Sequence, residues 1–324
     1  MSLRNRSRLV CLLGGSGFVG RSLAALLVQH GYDVRIPTRD RARHRELLVL
    51  PGVDLITADV HDERTLAALL RGASIAINLV GILNERGHDG SGFRRAHVEL
   101  AEKLMRGCQE AGVTRLLQMS ALKANAERGA SHYLRTKGQA EQIVKDQAGQ
   151  EIAYTIFRPS VIFGEGDSFT NRFARLLKLA PVLPLPRPDA RFAPVYVEDV
   201  AQAFLRALED TETHGKTYEL CGPEIFSLLE VVEFLKRELK LKRVVVPMPD
   251  PLGRLQAWVG DYLLPGKPLS LDNFRSLGVA SVCTEDGLAL LGITPQSMEA
   301  VVPRYLTGEG RAARLARIRE QSRR

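Results

Sequence analysis

The chain has 324 residues, 45% of them hydrophobic and 25% charged, and a formal net charge of +8. That is enough to bury one large α/β core, alone or with a smaller lobe, and it argues against disorder, a collagen-like repeat or a membrane bundle. The positive balance suits anionic partners such as a phosphorylated cofactor or acidic lipid, whereas no nucleic-acid motif accompanies it.

In chain order, residues 8–13 form an apolar run that reads as a buried strand, residues 14–20 a glycine-rich turn, and residues 18–30 a helix stopped by Gly31. Strands follow at 33–38 and 54–57, a helix with an acidic first turn at 62–71, a fourth strand at 75–80 and a long helix at 93–110. A fifth strand at 115–119, a helix at 131–147 and a sixth strand at 152–157 complete the first half. Strands separated by helices predict right-handed crossovers and an α/β fold with a Rossmann-type, doubly wound parallel sheet. After about residue 165 the rhythm breaks: prolines cluster from Pro181 to Pro194, and helices at 197–208 and 228–239 alternate with short extended pieces. The expected division is a dinucleotide-binding domain over 1–165, to which 191–222 returns, a smaller mixed substrate lobe over 166–190 and 223–305, and a basic tail over 306–324.

Arg4, Arg6 and Arg8 precede the first apolar run much as in a signal peptide. Glycines follow at once and no small-residue cleavage site does, so no export signal is expected. Cys11, Cys108, Cys221 and Cys283 are scattered, without a CxxC pair or a histidine cluster. The expectation is no metal site, no disulfide framework, and buried thiols in a reducing cytoplasm.

Gly14-Gly15-Ser16-Gly17-Phe18-Val19-Gly20 spaces its glycines as GxxGxxG between a strand and a helix. The first permits a tight turn, the second lets backbone N–H groups approach a pyrophosphate, and the third lets helix and strand pack closely. The helix N-terminus then favours negative charge. In that context the turn predicts a bound dinucleotide, with Gly14, Ser16, Gly17, Phe18, Val19 and Gly20 around it. The second strand ends Ile36-Pro37-Thr38-Arg39, which sets a guanidinium where NAD enzymes need a carboxylate. Thr38 and Arg39 therefore favour NADP(H) over NAD(H), through paired hydrogen bonds to a 2′-phosphate. Asp40 is the alternative, as a ribose ligand, if the strand ends two residues later. Asp59 and Val60, after the third strand, stand where adenine would lie; Asp59 reads equally as a helix cap.

Tyr133 and Lys137 are spaced i, i+4 on one helix face, and Ser120 ends the fifth strand on the carboxyl edge of the sheet. This set suits hydride chemistry at a carbonyl or alcohol. An ammonium and a positive nicotinamide ring would draw the phenol down from its ordinary value of about 10. Ser120 would hold the substrate oxygen and Lys137 the ribose hydroxyls.

Together, GGSGFVG, Ser120, Tyr133-Leu134-Arg135-Thr136-Lys137, Arg158-Pro159-Ser160-Val161-Ile162-Phe163-Gly164 and Val195-Tyr196-Val197-Glu198-Asp199-Val200-Ala201 resemble an extended short-chain dehydrogenase/reductase over residues 8–222. Asn78-Leu79-Val80-Gly81 and Met119-Ser120-Ala121-Leu122 make the chain most similar to the atypical, epimerase/dehydratase-like members related to the nucleotide-binding accessory subunit of mitochondrial complex I. The resemblance implies NADP(H) on a Rossmann sheet, with Ser120, Tyr133 and Lys137 in the catalytic positions. It also implies Leu79, Val80 and Gly81 along the cofactor, and Pro159 and Val161 near the nicotinamide. One departure is His97, where extended members place a proton-relaying Asn. His97 can relay protons as well, and it reads equally as a packed core histidine.

Phe163, Phe169, Phe192 and Tyr196 are candidate pocket residues, at least half of them expected in the core. Trp258 and Tyr262, i and i+4 in a Leu- and Val-rich segment, read as packing, a lid or a lipid-facing surface. Two functions stand. One is an NADP(H)-dependent oxidoreductase for a small, apolar carbonyl or quinone-like compound. The other is an NADPH-holding accessory or assembly protein of a respiratory or quinone-synthesis system. The tail reads as a solvated segment or as a contact with an anionic membrane or respiratory complex, which would place the protein in the cytoplasm or at the inner membrane. Both a monomer and a homodimer fit the sequence.

Overall fold

The computed structural model describes residues 8–264 and 267–306; all but the first residue of the expected basic tail lies outside them. In chain order the elements are β1 (Leu9–Leu13), α1 (Phe18–Gln29), β2 (Asp33–Thr38), β3 (Val53–Thr57), α2 (Glu63–Leu70), β4 (Ile75–Asn78), α3 (Ser91–Arg94), α4 (Leu100–Ala111), β5 (Arg115–Met119), α5 (His132–Gln147) and β6 (Ala153–Pro159). There follow β7 (Ile162–Phe163), α6 (Thr170–Leu179), β8 (Val182–Pro186), β9 (Arg191–Phe192), β10 (Val195–Tyr196), α7 (Val197–Glu209) and β11 (Lys216–Leu220). The last are β12 (Phe226–Ser227), α8 (Leu228–Glu238), β13 (Val244–Met248), α9 (Asp250–Tyr262), α10 (Leu271–Ser276), α11 (Gly287–Leu290) and α12 (Met298–Leu306).

These elements fall into two units. Of the described residues, the first takes 8–159, then Glu198–Leu220 and Thr284–Ile293; the second takes Ser160–Val197, 221–264, 267–283 and 294–306. The second return, over Thr284–Ile293, has no counterpart in the division expected from sequence. It is pinned to β11, where Thr284 N–H donates to Glu219 Oε2 at 2.6 Å and Gly287 lies so close that a Cβ would stand 2.4 Å from Glu219 O.

The first unit is a seven-stranded sheet in the order β11-β6-β5-β4-β1-β2-β3, with every neighbouring pair parallel. Central strands buried on both faces read as unbroken apolar runs, which is why Leu9–Leu13 was legible. On one face Cys11, Leu13, Ala76, Leu116 and Ile156 pack under Leu66 and Leu70 of α2, Leu100, Leu104 and Cys108 of α4, and Val144 of α5. Strand order reverses between β1 and β4. The carboxyl ends of those two strands therefore border a crevice, the usual place for a ligand in an open α/β sheet.

The long helix expected over 93–110 is interrupted. Between α3 and α4, residues Arg95–Glu99 form a π-helical segment, a form that recurs at functional sites.

The second unit is built on three two-stranded pairings, β10 with β7, β12 with β9 and β13 with β8. Its core joins Phe163, Leu177, Leu183, Leu185, Phe192 and Val231 to Met298 and Val302. Phe163 and Phe192, candidates for a pocket, are thus core residues, at 0% and 5% exposure, and Phe169 and Tyr196 pack against them. The cysteine expectation is corrected here as well: Cys221 and Cys283 form a disulfide. Neither lies in a spacing motif. Packing brings them together, since Ser281 pairs with Phe192 and accepts from Ala193 N–H, which lays the segment leading to Cys283 along β9. Cys11 and Cys108 remain free and buried.

Candidate active site

Gly14 has φ +77° and lies against the end of β4: a Cβ there would stand 3.0 Å from Leu79 C and 3.1 Å from Val80 N. A Cβ on Gly20 would meet Gly14 O at 2.4 Å. Only hydrogen at both positions permits the turn. Gly17 N–H donates to Gly14 O at 2.9 Å and is the N-cap of α1, and no side chain caps that helix. The leading N–H groups, around Phe18 and Val19 and beside Ser16, are thus left for an anion. A loop that no side chain could fill, at an uncapped helix start, fits a dinucleotide pyrophosphate.

β2 ends at Thr38, as expected, with Thr38 buried and Arg39 exposed. Asp40 is committed elsewhere: its Oδ1 accepts from Ala42 N–H and Arg43 N–H, and its Oδ2 pairs with Arg43 Nε at 3.1 Å. Asp59 Oδ1 accepts from His61 N–H at 2.9 Å. The cap of α2 is Asp62, not Asp59, and Val60 packs against the core. His61 is held below its ordinary value, chiefly by burial; Asp59 opposes the shift, while Arg95, Lys103 and Arg39 add to it. Lys103 Nζ also donates to His61 O at 2.7 Å.

At the mouth of β4, Leu79 N–H donates to Leu13 O and Val80 N–H to Asn78 Oδ1. Gly81 lies next to Lys137: a Cβ on it would stand 3.1 Å from Lys137 Nζ and 3.6 Å from His97 Nε2. Lys137 Nζ donates to Met119 O at 3.1 Å and to Val80 O at 3.4 Å. Burial draws this ammonium down to about 8, with the Glu141 carboxylate opposing. Tyr133, one turn earlier on α5, meets His97 edge-on at 5.6 Å between ring centres and Phe93 at 6.2 Å. Its phenol is pushed up to about 12 by burial. A nearby ammonium and a positive nicotinamide ring were expected to draw it down; in the protein alone the shift is upward, and burial is its cause.

His97 sits on the π segment, 3% exposed. Ile82 N–H donates to its Nε2 at 3.3 Å, which assigns the ring proton to Nδ1, facing Thr136 Oγ1 at 2.9 Å. Thr136 Oγ1 in turn donates to His132 O at 2.8 Å. Burial, with Lys137 adding to it, lowers His97 to about 2, so the ring is neutral.

Ser120 directly follows the last residue of β5, yet its hydroxyl is already used. Ser120 Oγ donates to Glu141 Oε1 at 2.5 Å, and Arg158 reaches the same carboxylate through Nε at 2.8 Å and Nη2 at 2.6 Å. The sequence reading missed Glu141 and Arg158. A signal was present: Tyr133, Lys137 and Glu141 lie at i, i+4 and i+8, and Arg158 opens the Arg-Pro-Ser motif. Pro159 ends β6, with its carbonyl accepting from Leu122 N–H. Val161 belongs to the second unit, where its carbonyl accepts from Val195 N–H.

A parallel sheet with a glycine turn after β1, and a Tyr and Lys four residues apart on α5, define a nucleotide-binding protein of the reductase and epimerase class. The chain belongs to the NAD dependent epimerase/dehydratase family, which matches residues 10–221. It is 30% identical over 312 residues to the mitochondrial NADH dehydrogenase [ubiquinone] 1 alpha subcomplex subunit 9 of Arabidopsis thaliana, covering 91% of this chain and 76% of that one. It is 29% identical over 255 residues to a ceramide reductase of Caulobacter vibrioides, covering 75% and 74%. Among solved structures, MoeE5 in complex with UDP-glucose and NAD shares the fold with a TM-score of 0.73 at 18% identity, over 94% of this chain and 99% of that one.

Proposed function

We propose that the protein is an NADP(H)-dependent reductase of a lipophilic carbonyl compound. The observation that carries this reading is the placing of Tyr133 and Lys137 on one face of α5 beside Gly81, with the Tyr133 phenol held protonated. Bound NADPH would supply a hydride for the carbonyl carbon. Tyr133 Oη gives the proton that completes the hydroxyl group, which asks for a phenol that stays protonated near neutral pH. Lys137, drawn down to about 8, is charged at pH 7, steadies the phenolate left behind and holds the ribose hydroxyls. Gly14, Ser16, Gly17, Phe18, Val19 and Gly20 hold the pyrophosphate. Thr38 and Arg39 take the 2′-phosphate, Asp59 and Val60 the adenine. Leu79, Val80, Gly81, Pro159 and Val161 line the path to the nicotinamide. Engagement of Asp40 by its own turn after β2 supports NADP(H) over NAD(H), because this carboxylate was the alternative ribose ligand. The ceramide reductase among the relatives supports the lipophilic substrate class.

In this reading His97 and Ser120 are positioning residues. His97 is neutral with both ring nitrogens engaged, and it fixes Thr136 and the ring of Tyr133. Ser120 fixes Glu141.

A second reading, an NADPH-holding subunit of a respiratory complex, is favoured by one observation: the Ser120 hydroxyl is spent on Glu141. The similarity to the complex I subunit supports it too. Tyr133→Phe separates the two. The reductase reading expects nucleotide affinity within about twofold of the parent and reduction of a long-chain ketone down by roughly 10²–10⁴-fold. Undiminished turnover in that variant removes Tyr133 from the chemistry. A parent protein whose copurified NADPH is never oxidised by long-chain ketones or quinones supports the holding role.

A further inference from the structure

Helix α9 has an unusual distribution of side chains. Its buried face consists of Gly253, Ala257, Gly260 and Asp261. These small residues let it lie close to its neighbours: a Cβ at Gly253 would stand 2.9 Å from Pro186 Cβ, and one at Gly260 2.4 Å from Leu269 O. The outer face carries Leu252, Leu255, Trp258 and Tyr262, and the chain continues with Leu263 and Leu264. Each of these six is at least 45% exposed. At about 100° per residue the four helical positions fall within an arc of roughly 120°. Trp258 and Tyr262 stack on each other at 5.5 Å. Beside α9, whose Gln256 donates to Pro184 O, strands β8 and β13 set Val182 opposite Val244 and Pro184 opposite Val246. These four are exposed as well. A soluble helix normally turns this kind of face inward, and contiguous apolar surface of this kind marks an interaction site.

The charges at its margin say what kind of surface it meets. Arg254 flanks the apolar arc of α9, and Lys178, Lys240 and Lys242 stand exposed at the ends of the segments that carry the patch. The carboxylates of α9 are neutralised, Asp250 by Arg187 at 3.2 Å and Asp261 by Lys267 at 2.9 Å. The margin is therefore basic around a leucine-rich face that bears a stacked Trp–Tyr pair. Aromatic rings of that kind settle at the headgroup level of a bilayer, and cations beside them are drawn to anionic lipid.

We propose that the outer face of α9, with the exposed edge of β8 and β13, docks the second unit onto an anionic lipid bilayer. The proposal does not depend on the reductase reading.

Trp258 is the only tryptophan in the chain, so its fluorescence reports the patch directly. The full-length protein is titrated with vesicles of phosphatidylcholine alone, and of phosphatidylcholine with phosphatidylglycerol, with bromines on the acyl chains in parallel samples. The expected result is a blue shift and bromine quenching on the anionic vesicles, weaker on neutral ones. Leu252→Glu with Leu255→Glu, both at exposed positions, should weaken partitioning roughly tenfold or more while nucleotide binding is unchanged. Absence of a shift on anionic vesicles overturns the proposal. So does vesicle binding that leaves Trp258 unquenched, which would place the contact elsewhere in the chain. A blue shift that grows with protein concentration without lipid, together with a dimer in sedimentation, overturns it in favour of a second copy of this chain.

Discussion

Replacing Glu141 by Gln removes the charge at the centre of the Ser120–Glu141–Arg158 cluster and keeps its shape. The Glu141 side chain is 3% exposed and takes two bonds from Arg158 and one from Ser120. An amide accepts through one oxygen only and turns an NH₂ group toward a donor. At least one charge-assisted bond is lost, each worth about 1.5–3 kcal/mol. Arg158 is 26% exposed, so water recovers part of this, and the expected loss is about 2 kcal/mol. For a unit of this size that is a fall in Tm of about 4–8 °C, read by calorimetry. Ser120→Ala removes one bond and should lower Tm by roughly half as much, with kcat on a reducible ketone within a few-fold of the parent. An unchanged Tm for Glu141→Gln refutes the reasoning about the cluster. An unchanged Tm for Ser120→Ala with kcat down by roughly a hundredfold refutes the positioning role and returns the hydroxyl to the substrate.

Three further outcomes are expected. His97 is neutral in the fold down to about pH 2, whereas in the unfolded chain it takes a proton below about pH 6.5. The unfolded state then binds the extra proton, so stability falls as pH drops through that value, by about 2 kcal/mol between pH 7 and pH 5. Urea unfolding at the two pH values checks this, and His97→Gln should remove that part of the slope. Arg39→Ala should cut the preference for NADPH over NADH by roughly tenfold or more, measured by fluorescence titration of both nucleotides; an unchanged ratio would place the 2′-phosphate elsewhere. Cys221→Ser opens a loop closed over a separation of 62 residues, and chain entropy sets the loss at up to about 4 kcal/mol. Denaturant unfolding of the oxidised parent, the reduced parent and the variant should place the last two together, below the first.

The sheet was legible because its strands are short apolar runs cut off by glycines and helix caps. β2 and β5 have the expected bounds, and Ser131 caps α5 through its hydroxyl. The glycine turn was legible because its backbone geometry admits few sequences. What the sequence hid depends on long-range packing. Cys221 and Cys283 meet only because the chain folds back on β9. Asp40 stood as the alternative ribose ligand, and the sequence did not show that its carboxylate accepts from Ala42 N–H and Arg43 N–H in its own turn. Ser120 follows β5, but the direction of its hydroxyl is decided by Glu141 and Arg158, residues 21 and 38 positions away. The Leu- and Val-rich segment at Trp258 fits packing as well as exposure by periodicity alone. The face that turns inward is settled by Gly253, Ala257 and Gly260, which bring little apolar area but allow close approach.

The π segment at Arg95–Glu99 shifts the register of the helix on either side of it. A π turn holds one more residue than an α turn, so side chains before and after it are out of step by one position. Phe93 and His97 follow one register and face Tyr133; Leu100, Leu104 and Cys108 follow another and face the sheet. A single uninterrupted α-helix with the same number of residues could present one of these stripes properly, not both. Straightening Arg95–Glu99 without removing a residue would rotate one stripe by about 100° relative to the other, so the chain would keep either its core or its site, whereas deleting one residue there would give a regular helix with both stripes in place. Chains of this family with a plain α-helix of the same length here should therefore meet their tyrosine with a residue one place out of step with His97.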